Sequence, residues 1–494
     1  MGYKMTKPIP AEIRRHRTPG TEIKNVGANF YLHRVTCVWD PIAKKRRKKS
    51  IEYIGKVTPE GVQPKKTKKV PANGVPQSKE YGASWVAREL SGDVRECLTR
   101  HFAHDAPWIY ATAILRCIHP GAFRYVGHHY ETSWLSELFP EMDVSSETLS
   151  KNMRQLGQRR DLITAFMKDF VPAGDWYAIF DGTAMVCNSQ NIREAQRGYN
   201  AKGSADPQIN LMYALALKDG GMAPVFYKRY PGCIRDVSAF RNMANAMGLQ
   251  SALVIGDKGL TQRRECERLA AEGLHYILPL RRNSVEYSRA ALHKPGRTGF
   301  EGRFKYHGRI IWYSREPAAA GCAHRCLLYL DETLHHSETC SRTRGKLDGE
   351  TSCAMRAAAE KQLEYGTFVL KTNLTGKTPE EIYRAYKTRQ EIEQLFDLYK
   401  SESQFATTGM HSAETQEACL FLNHLGVMLA YRVYARLKAN DQLKEYAVQK
   451  TLEHLLKDIR VTRFGGGSWQ FEPIPKAAKL ALEAVGLILS EVPS

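Results

Sequence analysis

Between Glu380 and Lys400 the chain reads EEIYRAYKTRQEIEQLFDLYK, with no Gly or Pro. A phenol, a guanidinium, a carboxylate and an ammonium follow one another there as Tyr386, Arg389, Glu393 and Lys400. The stretch is rich in helix formers. Thr378 and Pro379 stand where an N-cap and a first-turn proline belong, with Glu380 and Glu381 in the first turn. At about 100° per residue, the four polar side chains fall within roughly 60° of one another. Ile392, Leu395, Phe396 and Leu398 point elsewhere and can pack, while Glu391 projects about 140° from Tyr386. One carboxylate flanked by two cations and a phenol suits a phosphate backbone and a metal ion better than a core. Arg389 can grip a phosphate with two hydrogen bonds, Lys400 can act as a point charge, and Tyr386 can stack or donate.

Two more carboxylates stand where strands should deliver them. Asp181 follows the apolar run WYAIF, and Asp257 follows ALVIG. Strand ends in an open α/β sheet carry functional groups toward a cleft. Taken singly, such an Asp is more often a turn former or cap, and a Glu beside an Arg is usually half of a surface ion pair. Taken together, Asp181, Asp257 and Glu393 would hold two divalent ions about 4 Å apart. One ion would activate water or a 3′-hydroxyl, and the other would stabilise the leaving oxygen. Hard oxygen donors favour Mg²⁺, with Mn²⁺ as a substitute. Asp206, Asp219, Asp236 and Glu391 are set aside as a turn residue, a hairpin tip, a helix cap and an off-stripe residue. Cys322 and Cys326, with His324, His335, His336 and Cys340, lack the paired short spacings of zinc sites, so no structural zinc is expected.

The elements that must position these groups fall in six segments. Residues 1–80 are the most basic. Strands Phe30–Asp40 and Ser50–Val57 flank the cluster Lys44, Lys45, Arg46, Arg47, Lys48 and Lys49, and Lys65-Lys66-Thr67-Lys68-Lys69 follows. Two clusters around an aromatic hairpin suggest a phosphate-gripping arm, which gives affinity without sequence information. Residues 81–171 are a helical DNA-binding segment, with helices over Trp85–Phe102, Pro107–Cys117 and from a Ser145 or Ser146 cap to Phe170. Its segment VSSETLSKNMRQLGQRR reads either as a DNA-recognition helix or as a bundle helix with a polar face. Residues 172–284 alternate strands and helices: strand 176–180, a hairpin of 209–217 and 224–230, helix 236–247, strand 252–255, helix 261–272 and strand 275–280. That order is α/β. Residues 285–365 form a β-rich insertion with strands Phe304–Trp312 and Cys326–Leu330, and 366–405 return through FVLKTN to the motif helix. Residues 406–494 are helical again, over 414–439, 443–461 and 475–489.

The chain's 494 residues carry 72 Lys+Arg against 52 Asp+Glu, a formal net charge of +20. The excess calls for a polyanionic partner, nucleic acid first. Eleven scattered cysteines suit a reducing compartment. The N-terminal stretch has no apolar core of a secretory signal, and no transmembrane helix is expected.

The spacing Tyr-x2-Arg-x3-Glu-x6-Lys resembles the signature helix of IS4-type DDE transposases, the cut-and-paste enzymes of bacterial insertion sequences. WYAIFDGTAM, VIGDKGL, HYILPL and FVLKTN extend the resemblance from about Asp175 to Leu429, and the hairpin FYLHRV…IEYIGKV is similar to the IS1634-like branch. The resemblance implies an RNase H-like core interrupted by a β-strand insertion. It makes Asp181, Asp257 and Glu393 the catalytic triad, and Tyr386, Arg389 and Lys400 the residues that hold the transposon-end strand. It further implies hydrolysis at the element's ends, attack of the freed 3′-hydroxyls on target DNA, a dimer in the synaptic complex, and a cytoplasmic, nucleoid-associated enzyme. Two rivals remain: a DNA-binding protein without catalysis, such as a regulator or decayed transposase, and another RNase H-like nuclease that cuts without joining.

Overall fold

The computed structural model describes the chain outside residues 1–7, 28, 41–44, 65–75, 120, 199–205, 219–220, 235, 250–251, 258–259, 262, 317–323, 344–359, 391–409, 466 and 490–494. It divides into two compact units, Met1–Pro76 with Phe464–Gly467, and Gln77–Arg463 with Ser468–Ser494.

The smaller unit is an antiparallel meander of β1 (Thr21–Val26), β2 (Asn29–Asp40), β3 (Lys45–Thr58) and β4 (Gly61–Pro64), closed over Ile13, Ile23, Leu32 and Val57. The basic cluster is not the loop expected between two strands. Lys45 to Lys49 lie within β3, paired with Asp40 back to Thr36 of β2. The ladder runs through residues of low strand propensity because their partners Thr36, Val38 and Trp39 are good strand formers. Lys44 and the second basic cluster lie outside the described residues.

The larger unit starts within β5 (Pro76–Glu80), which leads into helices Gly82–Leu90, Gly92–Phe102 and Ala106–Ile118, followed further on by Ser146–Gln158 and Arg160–Lys168. Two expected helices are each broken once. Ser91 (φ −138°, ψ 35°) separates Gly82–Leu90 from Gly92–Phe102, and Arg159 (φ −90°, ψ 50°) separates the later pair. The second break follows a close approach. A Cβ on Gly157 would meet the Glu414 carbonyl oxygen at 1.8 Å, so only glycine lets the helix sit against that backbone. Ser145 is the cap, its hydroxyl accepting the Thr148 N–H at 3.3 Å.

Among the described residues, nine strands form the main sheet. β6 (Trp176–Val186), β7 (Gln208–Lys218) and β8 (Gly221–Pro231) are antiparallel neighbours. β9 (Ala252–Ile255) runs parallel to β6, and β10 (His275–Pro279) parallel to β9. The sheet continues antiparallel through β14 (Thr367–Thr372), β13 (Arg325–Asp331), β12 (Arg309–Glu316) and β11 (Gly302–Tyr306), giving the order β11-β12-β13-β14-β10-β9-β6-β7-β8. The strands of the β-rich segment therefore extend the main sheet. The stretch Phe304–Trp312, expected as one strand, is two, folded back at His307 and Gly308 (φ 45° and 81°). Central β9 is buried along its whole length, as strands covered on both faces are.

The 27-residue helix Ala413–Ala439 packs against Ser146–Gln158, Ala106–Ile118 and β8. By length and composition it would pass for a membrane span, against the expectation of none, but 78% of its most apolar window is buried inside the protein. Its uniform apolarity is that of a core helix wrapped on all sides.

Candidate functional site

β6 and β9 set the position of the two aspartates. Ile179 is the register partner of Ile255, and Asp181 and Asp257 each lie two residues beyond that pair. The two carboxylates thus leave adjacent parallel strands at the same height. β6 does not end at Asp181 as expected. It continues to Val186, with Asp181 paired to Tyr213 of β7, and what ends there is its pairing with β9. β9 turns away at Gly256, where a Cβ would meet Leu260 Cδ1 at 2.4 Å, and Asp257 is left in the following loop.

The third component comes from the helix Pro379–Lys387. Thr378 and Glu381 form a capping box, with Pro379 in the first turn and Ile382 and Tyr383 buried. The Thr378 N–H, then Lys377 and the Thr378 hydroxyl, draw the Glu381 carboxyl down to about 2. The helix expected to run unbroken from Glu380 to Lys400 tightens after Lys387. The Thr388 and Arg389 N–H groups bond three residues back, to Ala385 at 3.3 Å and Tyr386 at 3.0 Å. The even 100° progression is interrupted at that turn. Glu391, Glu393 and Lys400 lie outside the described residues.

Arg389 nevertheless reaches both aspartates. Its Nη2 is 3.4 Å from Asp181 Oδ1 and 3.7 Å from Asp257 Oδ1. The Arg389 side chain is 16% exposed and that of Asp181 18%, while Asp257 is 53% exposed. The Tyr386 phenol is hydrogen-bonded to Arg389, and its ring lies 6.0 Å from that of Phe368. Burial raises the Asp181 carboxyl above its ordinary range. The Asp257 charge pushes the same way, against Arg389 and the Gly182 N–H, which donates to Asp181 Oδ1 at 3.0 Å. Burial disfavours the Arg389 charge, but Asp181, Tyr386 and Asp257 together hold its pKa above the usual value. Two hard carboxylates that repel each other and share one cation fit a divalent ion as a donor set.

Beneath the site, Tyr213, the cross-strand partner of Asp181, is hydrogen-bonded to His424 Nδ1 on the long helix. Complete burial pushes the His424 imidazole down to about 3. Beside it, Glu417 accepts from Arg229 at 2.7 Å, from the Tyr227 hydroxyl at 3.1 Å and from Arg160 at 3.0 Å. This buried network ties β8 to the long helix. It was invisible in the sequence because its members are spread along the chain and no local pattern joins them.

The remaining candidates are dispersed. Asp206 is exposed at a bend before β7, Asp236 opens the helix Asp236–Met247, and Asp219 is outside the described residues. Of the cysteines and histidines weighed for zinc, Cys322 is likewise outside them. Cys326 is buried in β13, His335 is bonded to the Tyr365 carbonyl at 2.8 Å, and His336 faces Cys340 at 3.7 Å. A different cluster, Cys97, His101 and Asp169, was not singled out from the sequence. Asp169 accepts from His101 and from Arg100, each at 2.8 Å, and from the Cys97 thiol at 3.4 Å. Burial pushes that thiol up to about 12, and the Arg100 guanidinium already neutralises the carboxylate, so the group serves to tie two helices together.

A mixed sheet that carries one aspartate on a strand and a second just beyond the end of the adjacent parallel strand, bridged by an arginine, defines an enzyme-like anionic centre. The family model described as transposase DDE domain matches residues 172–429, more than half of the chain, and the chain belongs to that family. The matched region runs from just before β6 into the long helix and includes Asp181, Asp257 and Arg389. Membership makes the protein a transposase whose substrate is DNA, an enzyme of mobile-element recombination in a family that uses divalent metal ions. No curated protein matches the chain.

Proposed function

We propose that this chain is an IS4-type transposase of the IS1634-like branch, which cuts DNA at the ends of an insertion sequence and joins the freed 3′-hydroxyls to target DNA. The observation that carries the reading is the convergence of Asp181, Asp257 and Arg389 on one point. The order β8-β7-β6-β9-β10, three antiparallel strands followed by two parallel ones, supports an RNase H-like core over 172–284 and 366–405, with 285–365 as its insertion.

Asp181, Asp257 and Glu393 are the metal ligands in this reading. Two Mg²⁺ ions, or Mn²⁺ in their place, would supply Lewis acidity for attack and departure at the scissile phosphate. Asp181 is held by its ladder with β7, and Asp257 stands in the loop beyond β9. Arg389 stands between the two aspartates, and Lys400 adds a second positive charge along the DNA strand. Lys44 to Lys49 of segment 1–80 contact the phosphate backbone. Segment 81–171 is a helical DNA-binding segment and 406–494 a helical region, no structural zinc takes part, and the active assembly is a dimer that pairs two element ends at the nucleoid.

The test is strand cleavage of element-end DNA with Mg²⁺. Asp181→Asn, Asp257→Asn and Glu393→Gln should each abolish cleavage while leaving DNA binding largely intact, and Glu391→Gln should cut normally. Unimpaired cleavage by Asp181→Asn would sink the reading, and products cut but never joined to target would point instead to a nuclease.

A further inference from the structure

We propose that the two-stranded ribbon of Thr36–Asp40 and Lys45–Lys49 inserts into the major groove of duplex DNA, with its two faces turned toward the two phosphate strands. The inference rests on the reading of residues 44–49 as a DNA contact and specifies how that contact is made.

The ribbon stands clear of the rest of its sheet. β1 accompanies β2 only as far as the pair Thr21↔Arg34, and β4 accompanies β3 only from Gly55 to Thr58. Among the described residues, the five rungs from Thr36↔Lys49 to Asp40↔Lys45 have only each other as ladder partners. The register shifts between Arg34 and Val35, a bulge at the ribbon's root that bends and twists it away from the sheet. Five rungs at about 3.4 Å per residue make an arm roughly 17 Å long.

Its charges lie on both faces. Residues opposite one another across a ladder point to the same side. Lys45, Arg47 and Lys49 therefore share a face with Thr36, Val38 and one carboxylate, Asp40, while Arg46 and Lys48 share the other with Cys37 and Trp39. All five cations are exposed. A hairpin meant to lie on a flat anionic surface, such as a membrane, needs cations on one face only. Cations on both faces suit a slot lined by negative charge on each side. Duplex DNA offers such a slot. Its major groove, about 12 Å wide, admits a two-stranded ribbon, whereas the minor groove, about 6 Å wide, does not.

The ribbon also exposes apolar surface among its cations. Trp39 is 58% exposed, Val38 47%, and Ile51 at the bulge 61%. Side chains of this kind suit thymine methyls and base edges on the groove floor. The carboxylates ion-paired at the root, half-buried Glu22 with Lys48 at 3.6 Å and exposed Glu52 with Arg34 at 3.7 Å, are long surface pairs that give way readily to phosphate.

The experiment uses the full chain and duplex DNA, with binding measured from 50 to 200 mM salt. Arg46→Ala and Lys49→Ala, on opposite faces, should each lower the slope of log K against log salt by about 0.9, so that each variant loses ~3.5-fold less affinity across that range than the parent does. Lys479→Ala, on the C-terminal helix, should leave the slope unchanged. Trp39→Ala should weaken binding at constant slope. Duplexes bearing glucosylated hydroxymethylcytosine, which fills the major groove, should bind less tightly, and netropsin in the minor groove should not compete. Displacement by netropsin, indifference to the glucosylated bases, or an effect from one face alone would overturn the proposal. Cleavage is scored separately at low salt with Mg²⁺. Cutting that persists while the binding signatures fail removes the ribbon proposal and leaves the transposase reading standing. The binding signatures without any cutting do the reverse.

Discussion

Replacing Arg389 by Ala should tighten divalent-ion binding rather than weaken it. In the free protein the guanidinium sits 3.4 Å from Asp181 Oδ1 and 3.7 Å from Asp257 Oδ1, so an ion entering between those carboxylates must displace it. At about 3.5 Å and an effective dielectric constant of about 20, each contact is worth roughly 5 kcal/mol of gross Coulomb attraction. Most of that is offset by the desolvation of the ions, and the half-exposed Asp257 is screened by water, which leaves about 1 to 2 kcal/mol net to be overcome. Removing the guanidinium should therefore raise Mn²⁺ affinity about 5- to 30-fold. The two aspartates, left facing each other without a cation, favour the ion further. Calorimetric titration of Mn²⁺ into the full chain without DNA reads the effect independently of turnover, and Arg389→Lys should fall between parent and Ala variant. If Arg389→Ala binds Mn²⁺ no better than the parent, or less well, then the guanidinium is not a stand-in for the ion, and the pairing of Arg389 with the aspartates is incidental to the metal.

Three further outcomes follow from the packing beneath the site. His424 is neutral and fully buried with its pKa depressed to about 3, so the folded state binds fewer protons than the unfolded chain. Its share of stability is intact above about pH 6.5 and falls by about 1.4 kcal/mol per pH unit below it, toward pH 3. His424→Asn should flatten that slope in denaturant titrations at pH 6 and pH 5. Truncating Glu417→Ala removes the 2.7 Å partner of the 3%-exposed Arg229 side chain, which keeps Glu194 at 3.3 Å and Gln416 at 3.1 Å, and should cost about 1 to 3 kcal/mol, whereas Arg229→Met with Glu417→Leu should recover much of the loss in the same titrations. Gly157→Ala drives a methyl into the Glu414 carbonyl and should destabilise by about 1 to 3 kcal/mol, seen as a lower melting temperature.

What the sequence made legible was whatever is specified within a few residues. The capping box at Thr378 needs only Pro379 and Glu381, and it sets the start of the motif helix at the expected place. β9 and β10 are apolar runs between turn signals, and they stand where the residues point. Where an element ends is decided by what lies beside it. β6 outlasts Asp181 because β7 continues to pair with it, and the helix before Arg159 stops where Gly157 meets Glu414. β1 and β4, TEIKNV and GVQP, lack an apolar run of their own and are strands because β2 and β3 offer them edges.

The site divides in the same way. That Asp181 and Asp257 each follow an apolar strand can be read locally, but that they stand at one height depends on a parallel register formed only after a hairpin and a helix have intervened. The Tyr213–His424 and Arg229–Glu417 links, 211 and 188 residues apart, leave no trace in any window of the chain. Those links hold β7 and β8 against the long helix, and β7 in turn holds Asp181. A pair of strand-end aspartates is common in any α/β sequence. What singles this pair out is a buried scaffold that holds one carboxylate within a strand while the other stands in the loop beyond β9. The ladder of β6 with β7 runs unbroken through Asp181, whereas Asp257 stands beyond its strand, 53% exposed against 18%, so the two carboxylates are unequal: one is built into the sheet and the other lies open at its edge.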